Sequence, residues 1–553
     1  MKFTCIAAAA LLASTAHAQV VIPPAADPGA LQQRRLDEDQ RRLDQERLER
    51  KPVTDAVVET PKANEAKPVA STVRFLVRSV AFAPASEVFS ADELKNLSKA
   101  YEGKEAVFAD LQRLAEEVNA AYRTRGVVTA RAIIPPQDVS SGAITIQLVE
   151  GKLGEVKVSG NDSTRASYVL SRVDAEPEKL VNLPALEASL LRFNRTNSAQ
   201  LRAELKPGQA FGQTDLLIGV VEPKQHSFRL GVDNFGSEVT GKTRVGLSYT
   251  NQSLLGWRDV LGLTAMSASG LKSFSFDYGV PISRSGGRLN LTHNQDDTKL
   301  KFGPFAPLGI TGQSKSTALA LRQPVHFGEQ SQTDVLLTVR KRDVENKLSG
   351  IFLSSTATQD VQLGLEHQAA DASGQWLASY AVNSGNAKSL GVSRHYVVGR
   401  AAVRRTQYLS AGWALRGSLS LQHTSSEALP SSEQYFLGGE GNVRGYPVGS
   451  YSGDQGRLLS LELHHPITAP ATEGSPQWGS ATGFFFVDAG QVNQILPPDS
   501  TQAKSKTLTS LGWGVNMQLG ARTSANVTLA YGLSKLPDAS RRYTVAFQLS
   551  SLF

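Results

Sequence analysis

From Lys224 to Phe553 the chain is built of short segments in which apolar and polar residues alternate, and a pattern of period two restricts these residues to strands. Phe274, Phe276, Tyr278 and Val280 are interleaved with Ser275, Asp277 and Gly279; Leu511, Trp513, Val515, Met517 and Leu519 with Gly512, Gly514, Asn516 and Gln518. Soluble sandwiches alternate too, so two further features decide. The polar face is small or charged on nearly every segment, as a hydrated lumen requires, and each segment runs about ten residues, enough to span a bilayer at a tilt. Sixteen segments centre near Phe228, Val245, Leu261, Phe276, Leu289, Leu319, Leu337, Leu363, Ala378, Ala402, Leu419, Leu461, Phe485, Val515, Leu529 and Phe547. Residues 224–553 thereby allow about 21 for each strand with its connection. An open sheet edge in lipid would leave backbone groups unsatisfied, so the expectation is a closed transmembrane β-barrel of 16 antiparallel strands.

Composition removes the helical alternative. Mean hydropathy is −0.21, and after residue 20 no run reaches the 18 apolar residues that a helical span needs. A net charge of +7 on 553 residues is too small to argue for a nucleic-acid partner, and none is expected. Residues 1–18 read as a secretory signal: Lys2, an apolar stretch from Cys5 to Ala13, then Ala16-His17-Ala18. Removal of that signal takes away Cys5, the single cysteine, which excludes disulfides, a thiolate metal site and a cysteine nucleophile together. An exported, cysteine-free barrel points to a Gram-negative outer membrane.

Between the signal and the barrel lie four stretches. Residues 19–50 end in Leu31–Arg50, where twelve of twenty residues are charged, six of each sign. Opposite charges recur at i+3 and i+4, so the spacing predicts a helix with charge on all sides. Residues 51–71, with three prolines and no aromatic residue, read as a flexible linker. Residues 72–151 follow the order strand, helix, helix, strand, strand, and residues 152–223 repeat it, which counts as an internal repeat of two small α+β domains.

The longest irregular stretch, about 424–457, contains FLGGEGNVRGYPVGSYSGDQG, Phe436–Gly456. A loop of this length is expected to be either functional or disordered. Its Arg444 is a fixed cation that requires a counter-charge if the loop enters the lumen. Asp488, on the inward phase of its strand between outward Val487 and Ala489, is the candidate, through a two-pronged pairing.

These residues carry a resemblance. Val443-Arg444-Gly445-Tyr446 resembles the loop-six signature of the Omp85 superfamily, and the Tyr resembles its two-partner secretion branch, the TpsB family of haemolysin and filamentous-haemagglutinin secretors. Phe486, Asp488 and Gly490 resemble the superfamily's Phe-x-Asp-x-Gly barrel-wall motif, and Asp233-Asn234-Phe235-Gly236 its first hairpin. An alternating last strand with Phe547 and Leu549, closing on Phe553, resembles the C-terminal signal of outer-membrane barrels. Leu255-Gly256 departs from the pattern by lacking a preceding Pro.

The resemblance implies that the two repeats are periplasmic POTRA domains and that helix 31–50 plugs the pore. It implies a translocase that takes an unfolded exoprotein of adhesin, haemolysin or haem-binding type, recognised by that partner's N-terminal secretion domain, to the surface without ATP. Periplasmic chaperones and the barrel-assembly machinery would act during biogenesis. An Omp85-type assembly factor is the alternative, disfavoured by two repeats and Tyr446. No G-x-S-x-G, H-E-x-x-H or P-loop motif is present, so neither an enzyme nor a metal or cofactor is expected. A passive porin would not need the repeats.

Overall fold

The computed structural model describes residues 27–49, 57–59, 73–426, 428–467, 479–496, 500, 503–536 and 542–553. The expected signal peptide and most of the linker lie outside them. A 22-residue helix, Pro28–Glu49, opens the described chain. Pro28 sits where its missing N–H costs nothing, and the Asp27 carboxylate accepts from the Ala30 N–H at 2.9 Å, so the first turn is capped.

The first α+β unit packs helices Ala91–Ser98 and Phe108–Thr124 on a three-stranded sheet of Ser79–Ala83, Ala143–Glu150 and Ala130–Ile133. Leu111, Leu114, Val118 and Tyr122, one stripe of the long helix, are fully buried with Ile144 and Ile146. Burial contributes about 1.5–3 kcal/mol for each large apolar side chain. Ser90 and Glu93 form a reciprocal capping box at the shorter helix. The first strand of the expected order is broken at Arg78 into Phe75–Val77 and Ser79–Ala83. Its first part, Phe75–Val77, pairs instead with Lys104–Ala106.

The second unit repeats the plan with strand Lys152–Ser159, helices Ala166–Leu170 and Leu183–Thr196, and strands Gln200–Pro207 and Gln213–Val221. Leu186, Leu190, Phe193, Leu201, Leu216 and Ile218 make its core. Val58–Glu59, within the stretch read as a linker, adds a short parallel strand beside Ala203 and Glu204.

Sixteen strands close the barrel, each bonded to its sequence neighbours, from His226–Asp233 to Tyr543–Leu552. All sixteen segments read from alternation are strands of this barrel. Phe228 and Phe553 exchange backbone hydrogen bonds across the closing seam, Phe553 N–H to Phe228 O at 2.8 Å. Tyr543, Val545, Phe547 and Leu549 point outward from the last strand. Strand length differs from the expected ten: the five strands between Ile310 and Tyr408 run 16 to 21 residues, Ile351–Asp371 being the longest. At about 3.3 Å per residue these rise well beyond a hydrocarbon core.

The second α+β unit sits against the turns at one end of the barrel. Arg165 N–H donates to Gly256 O at 2.9 Å, Ser253 Oγ to Ser163 O at 2.8 Å, and Arg195 Nη1 to Gly328 O at 2.6 Å. Arg258, in the left-handed region at φ 56°, is buried there and reaches Ser163 and Ser198. The long loop over residues 424–454 leaves the barrel at the opposite end.

Candidate functional site

That loop folds back into the lumen. After strand Ala414–His423 it forms a short turn, Ser431–Glu433, then a hairpin of Tyr435–Leu437 with Tyr451–Gly453, whose tip carries Val443 to Tyr446. Arg444 is 6% exposed. Its Nε donates to Asp488 Oδ2 and its Nη2 to Asp488 Oδ1, both at 2.8 Å, and its backbone N–H adds a third bond to Oδ2 at 3.1 Å. Nη1 binds Glu462 Oε1 at 2.6 Å and Nη2 reaches Ser460 Oγ at 3.2 Å. The guanidinium carbon lies 3.5 Å from the centre of the Phe486 ring. One cation thus meets two carboxylates, a hydroxyl and an aromatic face, so its burial is compensated on every side.

The rest of the motif fixes the approach. Val443 is fully buried with Leu437, Leu458, Val492 and Leu508. Gly445 has φ +87°, and a Cβ there would stand 3.1 Å from the Gly532 nitrogen. Tyr446 Oη donates to Thr509 O at 2.6 Å and accepts from Ser534 N–H at 2.7 Å, its ring lying on Gly532. A Cβ on Gly490 would meet Leu437 at 2.6 Å and Val443 at 2.9 Å. The loop tip is therefore held by shape as well as charge.

Phe484 and Phe486 depart from the polar lumen read from the sequence: both face inward and are buried. Their rings cover Gly514 and Gly512 on the next strand, where a Cβ would lie 2.4 and 2.6 Å away. Phe547, Leu549 and Phe553 are not brought to this site; they lie outward at the barrel seam. Sequence reading missed Ser460 and Glu462. The signal was their register, since Ser460 stands opposite Asp488 and Glu462 opposite Phe486. Glu433 was missed as well. It is fully buried among Arg340, Arg342 and Arg400, at 3.2, 3.3 and 3.0 Å.

Helix Pro28–Glu49 lies in the same lumen. Its charges of both signs find partners on the wall: Arg35 with Asp296 at 3.3 Å, Arg47 with Glu366 at 2.9 Å, Glu38 with Arg244 at 3.2 Å, Asp44 with Arg404 at 2.7 Å and Glu49 with Arg416 at 3.1 Å. It also touches the loop. Arg34 stacks on Phe436 at 4.1 Å, and Arg41 reaches Gly441 O. Arg342 is shared: Nη2 donates to Gln33 Oε1 at 2.5 Å, while Nη1 serves Ser432 O at 3.2 Å and Glu433 Oε1 at 3.3 Å. A cavity of about 450 Å³ remains beside the helix.

Comparison with known proteins agrees with this geometry. Residues 212–517 match the family model described as haemolysin secretion/activation protein ShlB/FhaC/HecB, and residues 75–151 match the ShlB-type POTRA domain. The chain is 27% identical over 465 residues to the heme/hemopexin transporter protein HuxB of Haemophilus influenzae, covering 79% of this chain and 80% of that one. It is 26% identical over 450 residues to the outer membrane transporter CdiB of Dickeya dadantii, covering 77% of each. Among solved structures, CdiB from Escherichia coli superposes with a TM-score of 0.64 over 95% of this chain and 99% of its own, at 20% identity.

Proposed function

The chain belongs to the ShlB/FhaC/HecB haemolysin secretion/activation family, and from that premise we propose that its lumen helix and loop six form a closed gate that a partner exoprotein opens. The protein is an outer-membrane translocase of two-partner secretion, with its POTRA region in the periplasm. The observation that carries the gate is the packing of the lumen: helix Pro28–Glu49 is held by ion pairs to the wall, and the loop tip is held by Arg444 on Asp488.

Ion pairs suit a gate. They hold a polar helix in the lumen, yet each partner is solvated once the helix leaves, and departure exposes little apolar surface, chiefly Ala30, Leu48 and the Phe436 ring. The partner in this reading is a large secreted exoprotein of adhesin, haemolysin or haem-binding type, entering unfolded and engaging the POTRA domains with an extended N-terminal segment. The second α+β unit, residues 152–223, acts as a second POTRA domain against the barrel mouth. Its clasp on the periplasmic turns fixes where cargo is delivered. Phe547, Leu549 and Phe553 serve earlier, as a handle for chaperones and the barrel-assembly machinery. No covalent chemistry enters this reading.

Co-expression with a candidate secreted exoprotein tests the proposal. Secretion to the medium should depend on this chain and fall in Arg444→Ala at normal barrel abundance. Full secretion by the variant would remove the loop tip from the mechanism.

A further inference from the structure

The outward face of the barrel is not uniform at the extracellular end, the end opposite the α+β units. On the four strands from Leu271 to Leu348, register lines the outward residues up in rows. Tyr278, Leu291, Leu319 and Val339 form an apolar row. Two residues further toward the outside, Phe276, His293, Thr317 and Lys341 follow, then Phe274, Gln295, Lys315 and Asp343, then Lys272, Asp297, Gln313 and Glu345. Lys299, Thr311 and Lys347 form the last row, and Lys301 follows in the adjoining loop. Successive rows lie about 6–7 Å apart along the strands, so Lys341 stands one row above the apolar row, Lys315 two, Lys272 three, and Lys299 and Lys347 four.

Six lysines here face three carboxylates. Lys347 pairs with Glu345 at 2.8 Å and Lys341 with Asp343 at 3.3 Å, while Asp297 accepts from Gln295 at 3.0 Å and Gln313 at 2.6 Å. Lys272, Lys299, Lys301 and Lys315 have no carboxylate within 4.0 Å among the described residues, and all four are exposed. A cavity of about 510 Å³ opens beside the first three of these, lined by Lys272, Asp297, Lys299, Lys301, Glu345 and Lys347. Outward charges at the same end of other strands are scattered, Lys388 and Arg457 standing among uncharged Ser384, Ser393, Gln491 and Thr507.

We propose that this cavity binds the phosphorylated, multiply acylated glycolipid of the outer leaflet, the lipid A portion of lipopolysaccharide. Ammonium groups with three rotatable donors suit phosphate monoesters, which carry close to two negative charges. Acyl chains then run down the outward Phe274 and Phe276, directly below Lys272 on the same strand, toward the apolar row of Leu291, Leu319 and Val339, which lies three rows or about 20 Å below Lys272. Glu345 orients Lys347, Asp297 is held by Gln295 and Gln313, and the patch stays net positive. A phospholipid bears its single phosphate at the same depth but lacks a second one to span the cavity.

Native mass spectrometry of the full-length protein in detergent tests this. Lipid A should be retained at one copy per barrel, over phosphatidylglycerol and over dephosphorylated lipid A. The variant K272Q/K299Q/K301Q/K347Q should lose at least about tenfold in occupancy, given the usual contribution of each basic residue at a membrane surface. K388Q/R457Q, on other strands, should retain it. Heat-modifiable migration reports that each barrel is folded, and K299Q/K301Q carries the test if the fourfold variant fails to insert. Undiminished retention in the variant that inserts, equal retention of dephosphorylated lipid A or phosphatidylglycerol, or displacement by millimolar inorganic phosphate would overturn the proposal.

Discussion

Arg444 and Asp488 stand 44 residues apart in sequence and meet through three hydrogen bonds, two from the guanidinium and one from the arginine's own backbone N–H. The backbone bond matters: it ties the path of the loop, and not only the tip of a long side chain, to the barrel wall. Ser460 donates to the same carboxylate at 2.7 Å, so Asp488 receives four donors and has no unmet acceptor to favour an alternative position.

Arg444→Ala and Asp488→Ala should each sharply reduce secretion while barrel abundance stays near normal, because other strands build the wall. Breaking one side of a buried pair costs about 3–5 kcal/mol. The double variant should be little worse than either single one, since contacting groups are non-additive. Arg444→Lys should not rescue, as one ammonium cannot span both carboxylate oxygens. The measurement is secreted partner per barrel; strictly additive losses would show that the two act separately.

Deleting residues 19–70 should raise single-channel conductance in planar bilayers with the barrel still folded. In the intact protein, raising KCl from about 0.1 M to about 1 M should increase the time spent open, because the screening length falls from about 10 to about 3 Å. Salt-independent opening would count against ion pairs as the restraint on the helix.

Removing residues 72–151 should abolish capture of the partner's N-terminal domain in a pull-down, leaving insertion of the barrel intact. Capture that persists would assign recognition elsewhere, the second unit being the next place to look.

Gly445→Ala and Gly103→Ala separate strain from crowding. Both glycines have positive φ, +87° and +76°, but only Gly445 has neighbours close to the added Cβ. A left-handed alanine costs about 1–2 kcal/mol in either place. Gly103→Ala should lower the stability of the first unit modestly and spare secretion. Gly445→Ala should impair secretion, because Gly532 leaves the loop tip nowhere to move. Equal secretion by both would show that close approach at Gly532 is unimportant.

The capping box in the first POTRA domain should titrate. The Ser90 N–H, Arg125 and the Ser90 hydroxyl hold the Glu93 carboxyl down at about 2, below the usual value of 4.5. A depressed carboxylate stabilises the fold above its ordinary range, and that contribution fades as pH falls from about 4.5 toward about 2. Thermal unfolding of a soluble 73–223 fragment should separate wild type from Glu93→Gln most above pH 5. The gap should close near pH 2. A gap independent of pH would assign the effect to packing.

Alternation exposed all sixteen strands because one face meets lipid while the other meets water or polar side chains. It could not report how long they are. Above the belt on Ile351–Asp371, Ser355 and Gln359 occupy the outward positions that Val361 and Leu363 hold lower down, so the contrast between faces ends before the strand does. The inward Phe484 and Phe486 contradict a polar lumen, and only pairing with Gly512 and Gly514 makes room for them. Arg444 and Asp488 were legible because a motif names one and strand phase the other. Glu433 carried no such mark. Its three arginines come from two other parts of the chain, and nothing local in Ser431–Glu433 announces a buried carboxylate.

Arg342 binds Gln33 of the lumen helix with one nitrogen and the base of loop six with the other. Helix and loop therefore share a ligand, and their equilibria form a closed cycle. If the seated helix stabilises the inserted loop by some factor, the inserted loop must raise the lumen's affinity for the helix by that same factor. Pulling on either one is then felt by the other. A partner that draws the helix into the periplasm weakens a latch it never touches, and a mutation at the latch shifts the helix's resting occupancy without changing one of its own contacts.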